Sequence, residues 1–307
     1  MAGVLAFLVA GLAVSAGIWW VYREGLPSRW LQRDGAAAVT PVEGPETPPA
    51  AERPAVPSEP EPGSPPEAAP AGPGPLPPPA PAPPGGALVS LVIDDLGRRL
   101  EDAGDFEGLG VPVTFAVLPF ETRTPEVVGD LSRRRLPYLL HLPMEGRPGA
   151  DPGLGALTLE MSAADLRAAT RAALAAVPGA VGVNNHMGSA VTADAAAMER
   201  VLDELADQGL FFLDSRTTAD SVAYRMALER GLPAAERQVF LDPDGAREAI
   251  RAQFLRLLGV AHDQGSAIAI GHPHPATLEV LAEEVPRARG LGYRFVPVSA
   301  LVEGGSL

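Results

Sequence analysis

Residues 87–96 read Ala-Leu-Val-Ser-Leu-Val-Ile-Asp-Asp-Leu. A run of branched and apolar residues this short, ending abruptly in two carboxylates, predicts a strand buried on both faces whose last residues do something other than pack. The same pattern recurs downstream. Strands are predicted at Leu88–Asp94, Pro112–Leu118, Tyr138–Leu142, Ala180–Asn185, Leu210–Asp214, Gln238–Leu241, Ala267–Gly271 and Arg294–Pro297. Between them, Ala-, Leu- and Glu-rich stretches with helical spacing predict helices at Pro125–Arg135, Ala163–Ala176, Ala193–Gln208, Ala246–Gln264 and Thr277–Arg289. Near-continuous apolar strands alternating with helices imply a parallel sheet covered by helices. Seven or eight such units predict an α/β fold of the distorted (β/α) barrel type, with a doubly wound open sheet as the alternative.

The polar residues interrupting this pattern are not scattered. One strand ends in Asp94-Asp95, one in His141 to Glu145, one in Asn184 to Ser189, one in Asp214-Ser215-Arg216 and one in Gly271-His272-Pro273-His274. In a parallel α/β fold these ends share one rim, where active sites are built. Four of the five histidines lie there; the fifth, His262, falls in a helical stretch and reads as a surface residue. The chain has no Cys, so any metal must be held by imidazole and carboxylate. Two neutral imidazoles with one carboxylate form a zinc set that leaves a position open, and other divalent metals accept the same donors. Adjacent aspartates on a regular strand point to opposite faces, so one of the pair is expected to reach a cation and the other to serve as a base.

Upstream the composition changes. Gly3 to Val21 carries no charge and at about 1.5 Å per residue spans roughly 28 Å, close to a bilayer core. Trp19, Trp20 and Tyr22 stand at one end of it. Residues 1–24 are therefore expected to be a single-pass inner-membrane anchor rather than a cleaved leader. Arg23, Arg29 and Arg33 follow the span, but the short stub before it and the large domain after it suit export, placing the C-terminal domain outside the cytoplasm. Of 34 prolines, 19 lie between Pro41 and Pro84, so residues 25–86 are expected to form a disordered Pro/Ala/Gly/Glu linker leading to a domain over 87–303. The net charge of −14 argues against a nucleic-acid partner, and the chain has neither a dinucleotide fingerprint nor a phosphate loop, so no nucleotide cofactor is expected.

Ile93-Asp94-Asp95, His141-Leu142-Pro143-Met144-Glu145, Asn184-Asn185-His186-Met187-Gly188-Ser189 and Ile270-Gly271-His272 together resemble the divergent polysaccharide deacetylase family, a branch of the NodB-like carbohydrate esterases. The resemblance spans roughly Ala87 to Val302 and implies a distorted (β/α) barrel. It implies Asp94 as catalytic base, His272 as catalytic acid, and Asp95 and His141 as ligands of a divalent metal, zinc being expected. The wider superfamily has a second His where this chain has Glu145; His186 is the expected replacement ligand, and Glu145 is expected either to complete the metal shell or to orient His141. Asn185, Asp214, Ser215, Arg216 and His274 are placed to orient substrate. The implied activity is removal of N-acetyl or related acyl groups from an envelope glycan. The alternatives are a hydrolase for another bond and a catalytically degenerate domain that binds glycan or an envelope protein.

Overall fold

The computed structural model describes residues 79–304. The expected anchor, and the expected linker up to residue 78, lie outside the described residues. Among the described residues no helix is long and apolar enough to cross a membrane. The last linker residues lie against the domain: Ala82 donates its N–H to Leu291 O, and the Tyr293 hydroxyl donates to Ala80 O.

Nine strands are present among the described residues: β1 (Leu88–Leu96), β2 (Thr114–Val117), β3 (Tyr138–Met144), β4 (Gly182–Met187), β5 (Phe211–Asp214), β6 (Ala234–Glu236), β7 (Val239–Phe240), β8 (Ser266–Gly271) and β9 (Arg294–Phe295). The helices are α1 (Asp102–Glu107), α2 (Thr124–Arg134), α3 (Ala163–Ala176), α4 (Ala195–Asp207), α5 (Ala223–Glu229), α6 (Arg247–Gln264) and α7 (Pro275–Gly290). The strand order is β6-β5-β4-β3-β2-β1-β8-β7, every ladder within it is parallel, and β9 adds to β1. This is the cyclic order of a barrel, open between β6 and β7, and not the order of a doubly wound sheet. The expected count of seven or eight strands is one short. The strand missed is β6, whose Ala-Ala-Glu has no β-branched or aromatic residue to announce it. The helices α1 and α5 were also missed, being only six and seven residues long.

Sequence explains the helix ends. Ser162 accepts the Asp165 N–H and Asp194 accepts the Ala197 N–H at the starts of α3 and α4. Pro125 and Pro275 open α2 and α7, and Gly265, with φ 84°, closes α6. His262 is not the surface residue expected. It follows buried Leu258 by one turn of α6, is half-buried, and its Nδ1 is shielded without a partner.

The alternation of each strand divides the apolar side chains into two cores. Leu91, Ile93, Phe115, Leu140, Leu142, Val183, Phe212 and Ala269 face the helices. Val92, Ala116, Leu139, Phe211, Leu213, Ala235, Ile268 and Ile270 form the barrel interior, together with Val298. Val298 begins a 3₁₀ turn, Val298–Leu301, and donates its N–H to Thr114 Oγ1 at the start of β2. The interior is therefore apolar at the amino ends of the strands, and parity carries it upward to Asp94, His141, Asn184, Ser215 and His272.

Gly182 marks the entry of β4 into this interior. A Cβ there would lie 2.7 Å from the Phe211 ring, which occupies the space that a side chain would take. Gly182→Val should therefore cost about 1–3 kcal/mol through overpacking, read as a lower midpoint in denaturant unfolding of the domain. An unchanged midpoint would show that Phe211 can vacate the position freely.

Candidate metal centre

The C-terminal ends of β1, β3, β4, β5 and β8 surround a cleft of about 450 Å³ lined by Asp94, Asp95, His141, His186, Arg237 and His272, among others. Its geometry begins with the backbone of β1. Asp94 follows Val92 in parity and points inward. Asp95 follows Ile93 and should point toward the helices. It does not, because Asp95 adopts φ 61° and the register of β1 against β2 shifts between Ile93 and Leu96. This irregularity turns the second carboxylate back over the rim. Met187 (φ 53°) and Arg216 (φ 50°) take the same left-handed conformation at the ends of β4 and β5. Such residues are uncommon, each costs free energy, and they cluster where function requires it.

Three donors converge as a result. Asp95 Oδ1 lies 3.0 Å from His186 Nδ1 and 3.3 Å from His141 Nε2, and the two nitrogens are 3.0 Å apart. Donors bonded tetrahedrally to a cation at about 2.0–2.1 Å stand roughly 3.3 Å from one another, so the set has the spacing of three zinc ligands. Asp95 Oδ1 is also buried without a hydrogen-bond partner, an orphan acceptor that a cation would satisfy. Asn184 fixes the tautomer of His141. Its Nδ2 donates to Asp94 Oδ1 at 2.9 Å, so its Oδ1 must accept from His141 Nδ1, also at 2.9 Å. The proton on Nδ1 leaves the Nε2 lone pair facing the other donors. The residues present thus fit a divalent cation held by Asp95, His141 and His186.

The electrostatics agree. Burial pushes the Asp95 carboxyl up, but the close imidazoles of His141 and His186 outweigh it and hold the group far below the usual carboxylate range. His141 is lowered by burial and raised more strongly by Asp94 and Asp95. A pair of carboxylates that draws protons onto the imidazoles draws a divalent cation for the same reason. Asp94 is 3% exposed; burial raises its pKa, against the pull of His141, His272 and the Asn184 amide.

Glu145 takes neither expected place. Its carboxylate accepts the Leu159 N–H at 2.8 Å and fastens the loop after β3, while Asn184 does the orienting of His141. On the far side of the cleft His272 Nε2 is 4.0 Å from Asp95 Oδ2. Its Nδ1 lies 2.9 Å from Asp242 Oδ1, and Asp242 Oδ2 accepts from the His272 N–H and the Thr277 hydroxyl. Burial lowers the His272 pKa, but Asp242 outweighs it and the net shift is upward. Asp242, His272 and His274 form a second donor cluster, but the Asp242 and His272 donors are already spent on each other.

The structure separates the residues expected to orient substrate. Ser215 and Arg216 line the cleft. Asn185 lines it too, but its amide is bonded to Met187 O and the Ser215 N–H. Asp214 does not line it. It shares parity with Phe212, points toward α5, and accepts the Arg216 N–H and the Ser221 hydroxyl. His274 is exposed outside the cleft, its ring centroid 5.7 Å from that of His272. Asn184, Arg237 and Asp242 are site residues that sequence reading did not select. Asn184 was within a quoted motif, and Asp242 follows a predicted strand, so position alone was the available signal.

The fold and the donors define a parallel (β/α) protein with a two-histidine, one-carboxylate centre at its carboxyl rim. The chain belongs to the divergent polysaccharide deacetylase family, whose model matches residues 91–302. It is 36% identical over 219 residues to the uncharacterized protein YibQ of Escherichia coli (strain K12), covering 71% of this chain and 66% of that one. It is 36% identical over 193 residues to an uncharacterized protein of Haemophilus influenzae, covering 63% and 69%. This chain thus spans about two thirds of the length of these relatives. The crystal structure of an uncharacterized protein from Agrobacterium tumefaciens C58 matches with a TM-score of 0.65 at 25% identity, over 70% of this chain and 89% of that one.

Metal titration tests the centre. Asp95→Ala, His141→Ala and His186→Ala should each abolish stoichiometric zinc binding. Asn184→Ala should weaken it about 10–100-fold, the usual effect of losing a group that orients a ligand. Full zinc content in all three ligand variants would remove the centre.

Proposed function

We propose that this domain is a metal-dependent hydrolase that removes N-acetyl or related acyl groups from an envelope carbohydrate. The observation that carries the reading is the convergence of Asp95, His141 and His186 around a buried, unbonded carboxylate oxygen, with a buried carboxylate and a carboxylate-backed imidazole beside it. The family to which the chain belongs supports the substrate class. When bound, a divalent cation, with zinc the one proposed, supplies Lewis acidity to a carbonyl oxygen and a lowered pKa to water.

The chain's own residues divide the remaining work. Asp94 is held by the Asn184 amide, and its burial favours taking up a proton. It is the base that accepts the proton of the attacking water as the new C–O bond forms. Asp242 fixes the His272 ring through Nδ1, so Nε2 is the atom turned toward the cleft. Protonated His272 gives its proton to the amine nitrogen as the C–N bond breaks, leaving acetate and a free amino sugar. Ser215 and Arg216, which line the same cleft, orient the sugar.

Glu145, standing where the wider superfamily has a second His, is the feature that favours the non-catalytic alternative. With His186 among the donors and Glu145 engaged by Leu159, the substitution leaves no gap in the set, and the hydrolase is the better supported reading. An N-terminal anchor and a Pro-rich tether, with the domain outside the cytoplasm, form part of the same proposal and rest on residues 1–86 as sequence.

Acetate release from an N-acetylated amino-sugar oligomer, measured beside zinc content, tests the reading. Asp94→Asn should lower turnover about 10²–10⁴-fold while retaining zinc. A zinc-loaded wild type that releases no acetate from any acetylated glycan would sink the proposal. The pH profile gives a second check. The acid must be protonated, so activity is lost as pH rises through the His272 pKa, which Asp242 holds above its ordinary value. In Asp242→Asn the largest of the upward influences is lost, the pKa falls, and the alkaline limb should move to lower pH. A limb that stays in place would dissociate it from His272.

A further inference from the structure

Arg237 stands apart from the other arginines of the domain. Those with carboxylate partners include Arg98, Arg167, Arg216 and Arg251, and those without, such as Arg135 and Arg256, are exposed. Among the described residues Arg237 is the arginine that is drawn in from solvent and yet has no carboxylate within ion-pair distance. Its Nε donates to Ser215 O at 2.7 Å and its Nη2 to Arg216 O at 2.8 Å, while its guanidinium carbon lies 5.1 Å from the centroid of Phe240. Nη1 donates to nothing among the described residues. Burial pulls the Arg237 pKa down, the mark of a cation held at a cost, and such charges are ordinarily paired.

The charge balance of the cleft sharpens this. Arg216 faces Glu236 at 3.4 Å and His272 faces Asp242 at 2.9 Å. Asp94 and Asp95 offset a divalent cation. Arg237 feels Asp94 and Asp214 from beyond ion-pair distance, but Asp214 is turned to the Arg216 N–H and the Ser221 hydroxyl, so Arg237 is left without an ion-pair partner in a chain whose net charge is −14. The carbonyls of Ser215 and Arg216 hold the fork of the guanidinium in place, in the manner of a prearranged anion receptor.

We propose that the cleft selects a glycan bearing a negative charge, a carboxylate or a phosphate on or next to the acylated sugar, with Arg237 as the residue that receives it. The inference rests on the cleft being a glycan site, and concerns which glycan it takes.

Binding, rather than turnover, tests it. Calorimetric titration would compare three probes on zinc-loaded wild-type protein: a neutral N-acetylglucosamine oligomer, an N-acetylated oligomer of equal length carrying carboxylates, and one carrying phosphate monoesters. At least one acidic oligomer should bind on the order of tenfold more tightly than the neutral one, and which of the two does so identifies the anion. The preference should shrink as ionic strength rises, disappear in Arg237→Gln and persist in part in Arg237→Lys. Wild-type protein without a preference, or with one that is insensitive to salt, would overturn the proposal even if Arg237→Gln fails to fold. Folded Arg237→Gln with its preference intact would do the same. A protein that prefers the acidic oligomer but releases no acetate would refute the deacetylase reading and leave the anion site standing.

Discussion

The left-handed backbone of Asp95 is the constraint on which the site depends. A regular β1 would send Asp94 into the barrel and Asp95 into the helical layer, where Ile93 and Leu91 pack. A φ of 61° and one register shift bring both carboxylates to the same opening. A non-glycine residue in that region costs of order 1–3 kcal/mol, and the surrounding parallel ladders of β2 and β8 hold it there. Everything chemical in the cleft is arranged around the result. His141 and His186 meet the displaced carboxylate, and Asn184 ties the undisplaced one to His141.

The division of the barrel interior follows from the same alternation. Below, Val92, Leu139, Ile268 and Ile270 make an apolar filling closed by Val298. Above, the next inward positions of the same strands are Asp94, His141 and His272. The buried polar groups are affordable because each bonds another: Asn184 alone joins Asp94, His141 and Ser215. The apolar half gives these groups a rigid base and keeps water from them on one side, which strengthens every electrostatic contact above.

Much of this was legible in the sequence, and the failures have physical causes. Long β-branched strands and long helices declared themselves, and the strand ends holding Asp95, His141 and His186 marked groups that the fold brings together. Short elements did not: β6 has three residues of poor strand propensity. Asp214 was misplaced because its parity with Phe212 turns it outward, a consequence of register that no local pattern reveals. Glu145 was read through a spacing, yet it serves the loop after β3. Arg237 and Asp242 belong to the same blind spot. One follows a strand too weak to see and the other closes a strand of two residues, and both acquire meaning only from partners, Ser215, Arg216 and His272, that are 21 to 30 positions away along the chain.

The sheet is open between β6 and β7, yet these strands are joined by only Arg237 and Gln238. Arg237 donates its backbone N–H to Asp214 O on one side, and Gln238 donates its own to Ile268 O on the other. The Gln238 side chain braces the second contact by accepting the Ile268 N–H. A seam spanned by a dipeptide rather than a ladder behaves as a clasp. The two arms of the sheet meet there without a ladder, so a change in the length of the clasp would alter their spread without breaking any strand pairing. Lengthening it would splay the mouth of the cleft, and shortening it would draw Ser215 and His272 together. The breadth of the cleft is in this way uncoupled from the ladders that hold its donors.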